Sequence, residues 1–434
     1  MEVSVTSTEQ IKRNDEVLLD VNELAKSVRS DLKNLHSLSD DCCISRVPKR
    51  LRQLNEKAYT PRAVSIGPLH HGKEELKAME EHKRRYLNEF LEWSEVSIED
   101  YIKQIKEHET RLRNCYSETV GLKSEDFVKI ILIDAAFIIM VLLKQSLKEF
   151  RSKKDRVFSK PWMIGEVRFD ILLLENQLPF FILDDLFKLS NKPPEGHELS
   201  IIMLTHNFFI DTFGSWVAKR ILDKHDFSKI EHMVDFLRIC QQPPKLQNRK
   251  KLKKLTVPSV TELLQAGVKF ELGSSKKLLN IKFQNGVLEI PPLQIDDNSE
   301  ILLRNLQAFE QCLCNRDNYV SDYITLVSML AKGPKDVEIL ARNGIMENWL
   351  VNSEGVSTLF QKLVQENLLF PDDFYFSSLV EDLNSYCKNP WNKWKATLKQ
   401  DYFNTPWAVI SVIAAGFLLI FTVIQSVCSI LQLI

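Results

Sequence analysis

The run FVKIILIDAAFIIMVLLKQSL, residues 127–147, decides the fold. Its length and apolar content suit a membrane span, but Asp134 stands at its centre, with Lys129 and Lys144 to either side. A carboxylate held in hydrocarbon costs several kcal/mol. The run therefore reads as a buried core helix. A second apolar run has no such interruption. Residues 407–434, WAVISVIAAGFLLIFTVIQSVCSILQLI, carry no charge. They exceed the ~20 residues that cross a bilayer core and lack the polar stripe of a core helix. The expectation is a mainly α protein: a multi-helix soluble domain, a small β-hairpin element, and one C-terminal transmembrane helix.

The start of that last helix is well marked. Thr405 suits a cap, Pro406 sits where a missing N–H costs nothing, and Trp407 suits the membrane interface. Trp407, Ile410, Ala414, Gly416, Phe417, Leu418 and Phe421 make up the expected anchor. Ser411 and Ala415 have the small-xxx-small spacing that lets two helices approach, although such residues are also ordinary in membrane helices. Gln425 is an amide placed either to hydrogen-bond across helices or to reach the far interface. Lys388, Lys393, Lys395 and Lys399 precede the run against Asp401, and nothing charged follows. The excess of lysine predicts a single-pass, tail-anchored protein with its N-terminal part in the cytosol. Residues 2–16 carry Glu2, Glu9, Lys12, Arg13, Asp15 and Glu16 and have no apolar signal-peptide core. No Asn-x-Ser/Thr sequon occurs, which leans the same way.

Working outward, five regions emerge. Residues 1–41 are a polar arm with an amphipathic helix on Leu18, Val21, Leu24, Ala25, Val28, Leu32 and Leu35, which either docks on the core or pairs with another chain. Residues 42–240 read as a helical core. Within it, Pro61, Gly67 and Pro68 bracket a short extended segment, and a helix runs over about 73–93. Pro161 opens another helix, Glu175-Asn176-Gln177 interrupts it, Pro179 starts the next, and 197–240 reads as further helix. Residues 241–255, QQPPKLQNRKKLKKL, form a basic linker, either a solvated loop or a contact for anionic headgroups. Residues 256–400 combine a capped helix closed by Gly267, strands near 268–272, 279–283 and 287–290 with an Asn285-Gly286 hairpin turn, and more helix from 301. Residues 401–434 are the juxtamembrane segment and the span.

Composition narrows the function. With 57 basic and 58 acidic residues the net charge is -1, so no whole-chain field favours nucleic acid. Only 13 glycines occur in 434 residues, few for a chain built on phosphate-cradling loops. Cys42, Cys43, Cys115, Cys240, Cys312, Cys314, Cys387 and Cys428 show no framework spacing and read as reduced thiols. His70, His71, Glu80 and His82 are the nearest approach to a metal cluster, but Glu80 and His82 are two apart on a helix and do not share a face. Cys312 and Cys314 lack a matching second pair. No cofactor is expected: the nucleotide-binding and hydrolase motifs are missing, and His197-Glu198 lacks its second histidine, since Ile201 occupies that place. Asp134, Asp170, Glu175, Asn176 and Gln177 lie among apolar residues. They read as a structural polar hub that satisfies buried backbone groups. The rival reading is acid–base chemistry by Asp170, Glu175 and His70 at a membrane face, on a lipid or small molecule.

Several segments together resemble a known family. They are CCISRVP from Cys42, followed by Asn55, Ala58 and Tyr59; VSIGP from Val64 with His70 and Gly72; Met79-Glu80, Lys83 and Tyr86-Leu87; LLLENQLPF from Leu172; Thr261-Glu262-Leu263; Arg304-Asn305-Leu306; Glu310-Gln311-Cys312; and Pro406-Trp407 before the apolar tail. From about residue 42 to the end, the chain resembles the plant-specific "domain of unknown function 247", also called uncharacterised protein family 0481. Leu69 departs from the aromatic that relatives commonly carry there. The resemblance implies a plant protein with one C-terminal membrane helix and no established activity. Some members are similar to recognition determinants of grass self-incompatibility. The expected role is thus non-enzymatic recognition or signalling through protein–protein contacts with an unknown partner or a second copy. An oligomer of packed tail helices is a further reading.

Overall fold

The computed structural model describes residues 20–30, 32, 39, 41–190, 199–214, 216–218, 221–222, 226–243, 252, 255–313, 317–350, 352–392, 394 and 406–431. The polar arm before residue 20, most of the basic linker, His197-Glu198, Cys314, Lys393, Lys395, Lys399, Asp401 and Thr405 lie outside the described residues.

Helices are numbered here from the first long one. α1 (Lys77–Ser94) buries Met79, Lys83, Tyr86 and Phe90 at three- and four-residue steps and ends where Glu95 turns left-handed at φ 54°. α2 (Ile98–Glu107) is capped by Ser97, whose hydroxyl accepts from the Asp100 amide. α3 (Ser124–Ser146) is the predicted core helix. It is apolar on every side, so it is wrapped on every side: all residues from Phe127 to Lys144 are buried except Lys129. α1 and α2 pack on it, together with α5 (Phe180–Leu189) and α6 (Ile201–Thr212).

α4 (Pro161–Asp170) has proline in its first turn, where the missing N–H costs nothing. It stops at Asp170, so the whole stretch 171–179 is irregular and not only Glu175-Asn176-Gln177. Residues 197–240 are not one helix either. α6 is followed by irregular backbone, and α7 (Met233–Gln241) starts afresh under a cap in which the His232 ring accepts from the Asp235 amide.

α8 (Val260–Gln265) carries the Ser259–Glu262 capping box and is followed by Gly267 at φ 90°. β2 (Lys282–Gln284) and β3 (Val287–Ile290) form the hairpin, with positive φ at both Asn285 and Gly286, the turn that matches strand twist. β1 (Lys269–Leu272) pairs with β3 in parallel, Phe270 opposite Leu288. A second parallel pair, β4 (Leu293–Ile295) and β5 (Met346–Asn348), was not expected. α9 (Ser299–Leu313), α10 (Tyr319–Leu330), α11 (Pro334–Arg342), α12 (Ser353–Leu363) and α13 (Ser377–Lys388) complete the body. α13 closes on the hairpin through Tyr386, whose ring lies 5.4 Å from that of Phe283.

Buried apolar residues from Cys43 to Leu383 form one contiguous core. Two elements stand outside it. Residues 20–30 are helical, but Val21, Leu24, Val28 and Leu32 are exposed, so this apolar side is not docked on the core. α14 (Pro406–Leu431) is long and apolar enough to cross a membrane, and none of its apolar window is buried in the protein.

Candidate functional site

Residues 64–66 pass through the core outside any helix or strand, between bends at 62–63 and at 67. Buried amides without a ladder must find other partners, and here they find side chains. The Asp170 carboxylate, at the end of α4, accepts from the amides of Arg62 (2.9 Å), Ala63 (2.7 Å) and Val64 (2.8 Å). The Asn176 Oδ1 accepts from the Ile66 amide (2.8 Å), while its Nδ2 donates to the carbonyls of Val64 and Asp170. Asp134, midway along α3, accepts from the Gly67 amide (2.8 Å). Lys83 of α1 donates to the Ser65 carbonyl (2.9 Å) and to Asp134 (2.6 Å), and also meets Glu80 (2.6 Å). Four side chains thus do for one segment what a sheet would do.

Gly67 turns this segment at φ +71°, and a Cβ there would sit 2.6 Å from the Gln177 carbonyl oxygen. Gln177 ties the neighbouring turn. Its Nε2 donates to Ile171 O (2.6 Å) and Leu173 O (2.8 Å), and its Oε1 accepts from the Met233 amide that opens α7.

Glu175 has a separate set of partners. It accepts from the Val47 amide (2.6 Å) and from the Arg52 guanidinium. Its other oxygen lies 3.2 Å from His70 Nε2, a contact short of hydrogen-bond alignment, and 3.7 Å from Arg46. Glu175 and His70 are therefore together, while Asp170 serves the amides of 62–64 in a place of its own. His71 is exposed, Glu80 pairs with Lys83, and His82 lies in a different cleft. Among the described residues no group of three or more His, Cys, Asp or Glu side chains is placed to hold a metal ion.

Electrostatics follow from burial and partners. Burial pushes Asp170 up to about 6 against three amides that pull it down. Burial also opposes the charge on Glu175, yet His70, Val47 and Arg52 hold it below its usual range. His70 is lowered by burial, which outweighs Glu175. Burial penalises both Lys83 and Asp134; the geometry supports a charged lysine, whose contacts with the Asp134 and Glu80 carboxylates raise its pKa despite the burial. This set of hydrogen bonds positions backbone, although the ring nitrogens of His70 and Glu175 Oε2 find no hydrogen-bond partner in it. It leaves Asp170 little free lone-pair capacity for proton transfer.

Sequence reasoning missed several members. Asn305 of α9 accepts from the Leu174 amide (2.9 Å) and donates to the carbonyls of Ala58 and Ile301, so it joins three distant segments. Glu310 caps α10 through the amides of Val320 and Ser321 and the Ser321 hydroxyl. Lys83 had a readable signal: it sits on the apolar stripe of α1, between Met79 and Tyr86.

The hub draws on residues from Val47 to Asn305, so any relationship that explains it must span most of the chain. The family model described as a plant protein of unknown function, domain of unknown function 247, matches residues 44–421. The chain belongs to this family. Two family 0481 proteins of Arabidopsis thaliana are similar to it. One is 31% identical, over 91% of this chain and 87% of the relative. The other, named as putative, is 23% identical, over 97% of this chain and 96% of the relative. No solved structure matches. The family match enters α14, where Trp407, Ile410, Ser411, Ala414, Ala415, Phe417, Leu418, Phe421 and Gln425 are exposed and Gly416 half-exposed. The hydroxyls of Thr422 and Ser426 donate to the carbonyls of Leu418 and Thr422, one turn back, so these polar groups are satisfied inside the helix.

Proposed function

We propose that this DUF247 protein is a single-pass membrane protein, anchored by α14 with its helical body in the cytosol, and that it acts by recognising a protein partner rather than by catalysis. The observation that carries the reading is the pairing of an apolar helix, none of whose apolar window is buried in the protein, with a core whose acids hold structure. An unpaired span of this kind is stable only in lipid, and the tail-side lysines favour a cytosolic body. The candidates for acid–base chemistry are divided: Asp170 holds the amides of 62–64, and Glu175 is shared among Val47, Arg52 and His70. Recognition also accords with the family resemblance, and self-association through Ser411, Ala415 and Gln425 is one form it takes in this proposal. The test is affinity purification of the tagged full chain from membranes in mild detergent, followed by cross-linking. A stoichiometric partner, or a second copy, is the expected result. Monomer alone contradicts the reading.

A further inference from the structure

Two clefts flank α1, one on either side, and share the Arg84 side chain. The first, about 500 Å³, lies between α1 and the loop around Asp155, and its cations are Arg84, Arg85, Lys154 and Arg156. Its floor is fixed. Asp155 is buried and accepts from the Tyr86 hydroxyl (2.9 Å), Lys144 Nζ (2.5 Å) and the amides of Val157 and Phe158. That network holds Lys154 and Arg156, on either side of Asp155, against α1. The acids in the lining are already used: Glu81 pairs with Arg85, while Glu89 and Asp155 pair with buried Lys144. Arg84, Lys154 and Arg156 have no carboxylate partner among the described residues, so the cleft has a surplus of positive charge. His82 reports the same field: burial, then Arg85 and Arg156, lower its pKa.

The second cleft, about 700 Å³, lies between α1, α2 and α3. It is lined by Leu87, Ile98, Ile102, Val128, Leu132 and Ile133, with Arg84, Lys106 and Lys129 among its cations against Glu125. Its size and apolar walls suit a small ligand with a chain. Arg84 lines both clefts. A preformed apolar slot that shares an arginine with a cationic slot matches a molecule with an anionic head and an aliphatic tail.

We propose that this face binds one anionic phospholipid, with its phosphate in the basic cleft and an acyl chain in the apolar cleft. A free phosphorylated metabolite shares the head chemistry but leaves the apolar cleft without purpose. The test is native mass spectrometry of the full chain in neutral detergent, titrated with dioctanoyl phosphatidic acid, dioctanoyl phosphatidylcholine and glycerol phosphate. Phosphatidic acid is expected to bind one-to-one, phosphatidylcholine at least about tenfold more weakly because its phosphate carries less charge, and glycerol phosphate at least about tenfold more weakly because it buries no acyl chain. The R84Q/R156Q variant should also lose about tenfold. Ile98→Asp should weaken the lipid and leave glycerol phosphate unchanged. All three positions are exposed, and an unchanged unfolding temperature verifies the fold. Glycerol phosphate binding as tightly as phosphatidic acid would overturn the lipid assignment. Unchanged binding by the variants, or no one-to-one complex, would overturn the site.

Discussion

Lys83 of α1 and Asp134 of α3 meet at 2.6 Å in the interior, and both are fully buried. Each sits in the apolar stripe of its own helix, so neither helix would bury that stripe without the other. Removing one partner strands a charge in the core at a cost of about 3–5 kcal/mol. We predict losses of that size for Lys83→Met and for Asp134→Asn, and a double variant less destabilised than the sum. Denaturant unfolding in a double-mutant cycle measures the coupling. Additive losses would show that the pair does not act as a unit.

The contact between Gly67 and Gln177 yields a second prediction. At Gly67 a Cβ meets a backbone carbonyl at 2.6 Å with φ at +71°; at Gly72 φ is +82° with open space around it. Gly72→Ala should cost about 1–2 kcal/mol, the left-handed penalty alone. Gly67→Ala should cost clearly more, because backbone must move as well. Thermal unfolding of the two variants side by side checks the order, and equal losses would contradict the packing.

His232 makes a pH-dependent contribution. Its Nδ1 accepts from the Asp235 amide, its Nε2 donates to the Cys43 carbonyl, and burial lowers its pKa to about 3. The unfolded ring titrates near 6.5. Between these values the unfolded chain binds the extra proton, so stability is full above about 6.5 and falls as the pH drops towards 3. Asp170 and Glu310, raised to about 6 and about 7, act in the opposite sense over part of this range. The clean readout is therefore the difference between the native chain and His232→Gln. That difference should shrink by roughly 2 kcal/mol from pH 7 to pH 5. A difference that does not vary with pH would contradict the neutral ring.

Asp170→Asn tests the backbone-holding role. The amide keeps one acceptor oxygen, and its NH2 group replaces the other, facing either the Arg62 N–H or those of Ala63 and Val64. A loss of about 1–3 kcal/mol for each orphaned amide is expected, read as a lower unfolding midpoint. A variant with native stability would reopen a chemical role for this carboxylate.

Much of the helical fold was legible because its signals are local. Asp134 inside an apolar run distinguished a core helix from a span, Gly267 marked the end of a capped helix, and Asn285 with Gly286 marked a hairpin. What the sequence hid is long-range. Nothing near Asp170 tells that its carboxylate serves amides more than a hundred residues earlier, nor that β1 joins β3 in parallel. β4 and β5 are three residues each, too short to show a two-residue period, even though Pro291-Pro292, Asp296-Asp297-Asn298 and Asn343-Gly344 flank them. The amphipathic period at 18–35 implied a buried face, but period alone does not name the surface that covers it, and among the described residues that face is exposed.

The anchor is the centre of the account. Extraction of plant membranes at alkaline pH, applied to the full chain and to one ending at residue 405, tests it most directly. The full chain should stay in the pellet and the shortened chain should be released as folded, soluble protein. A shortened chain that remains in the pellet, or a full chain that washes off, would contradict a single C-terminal span.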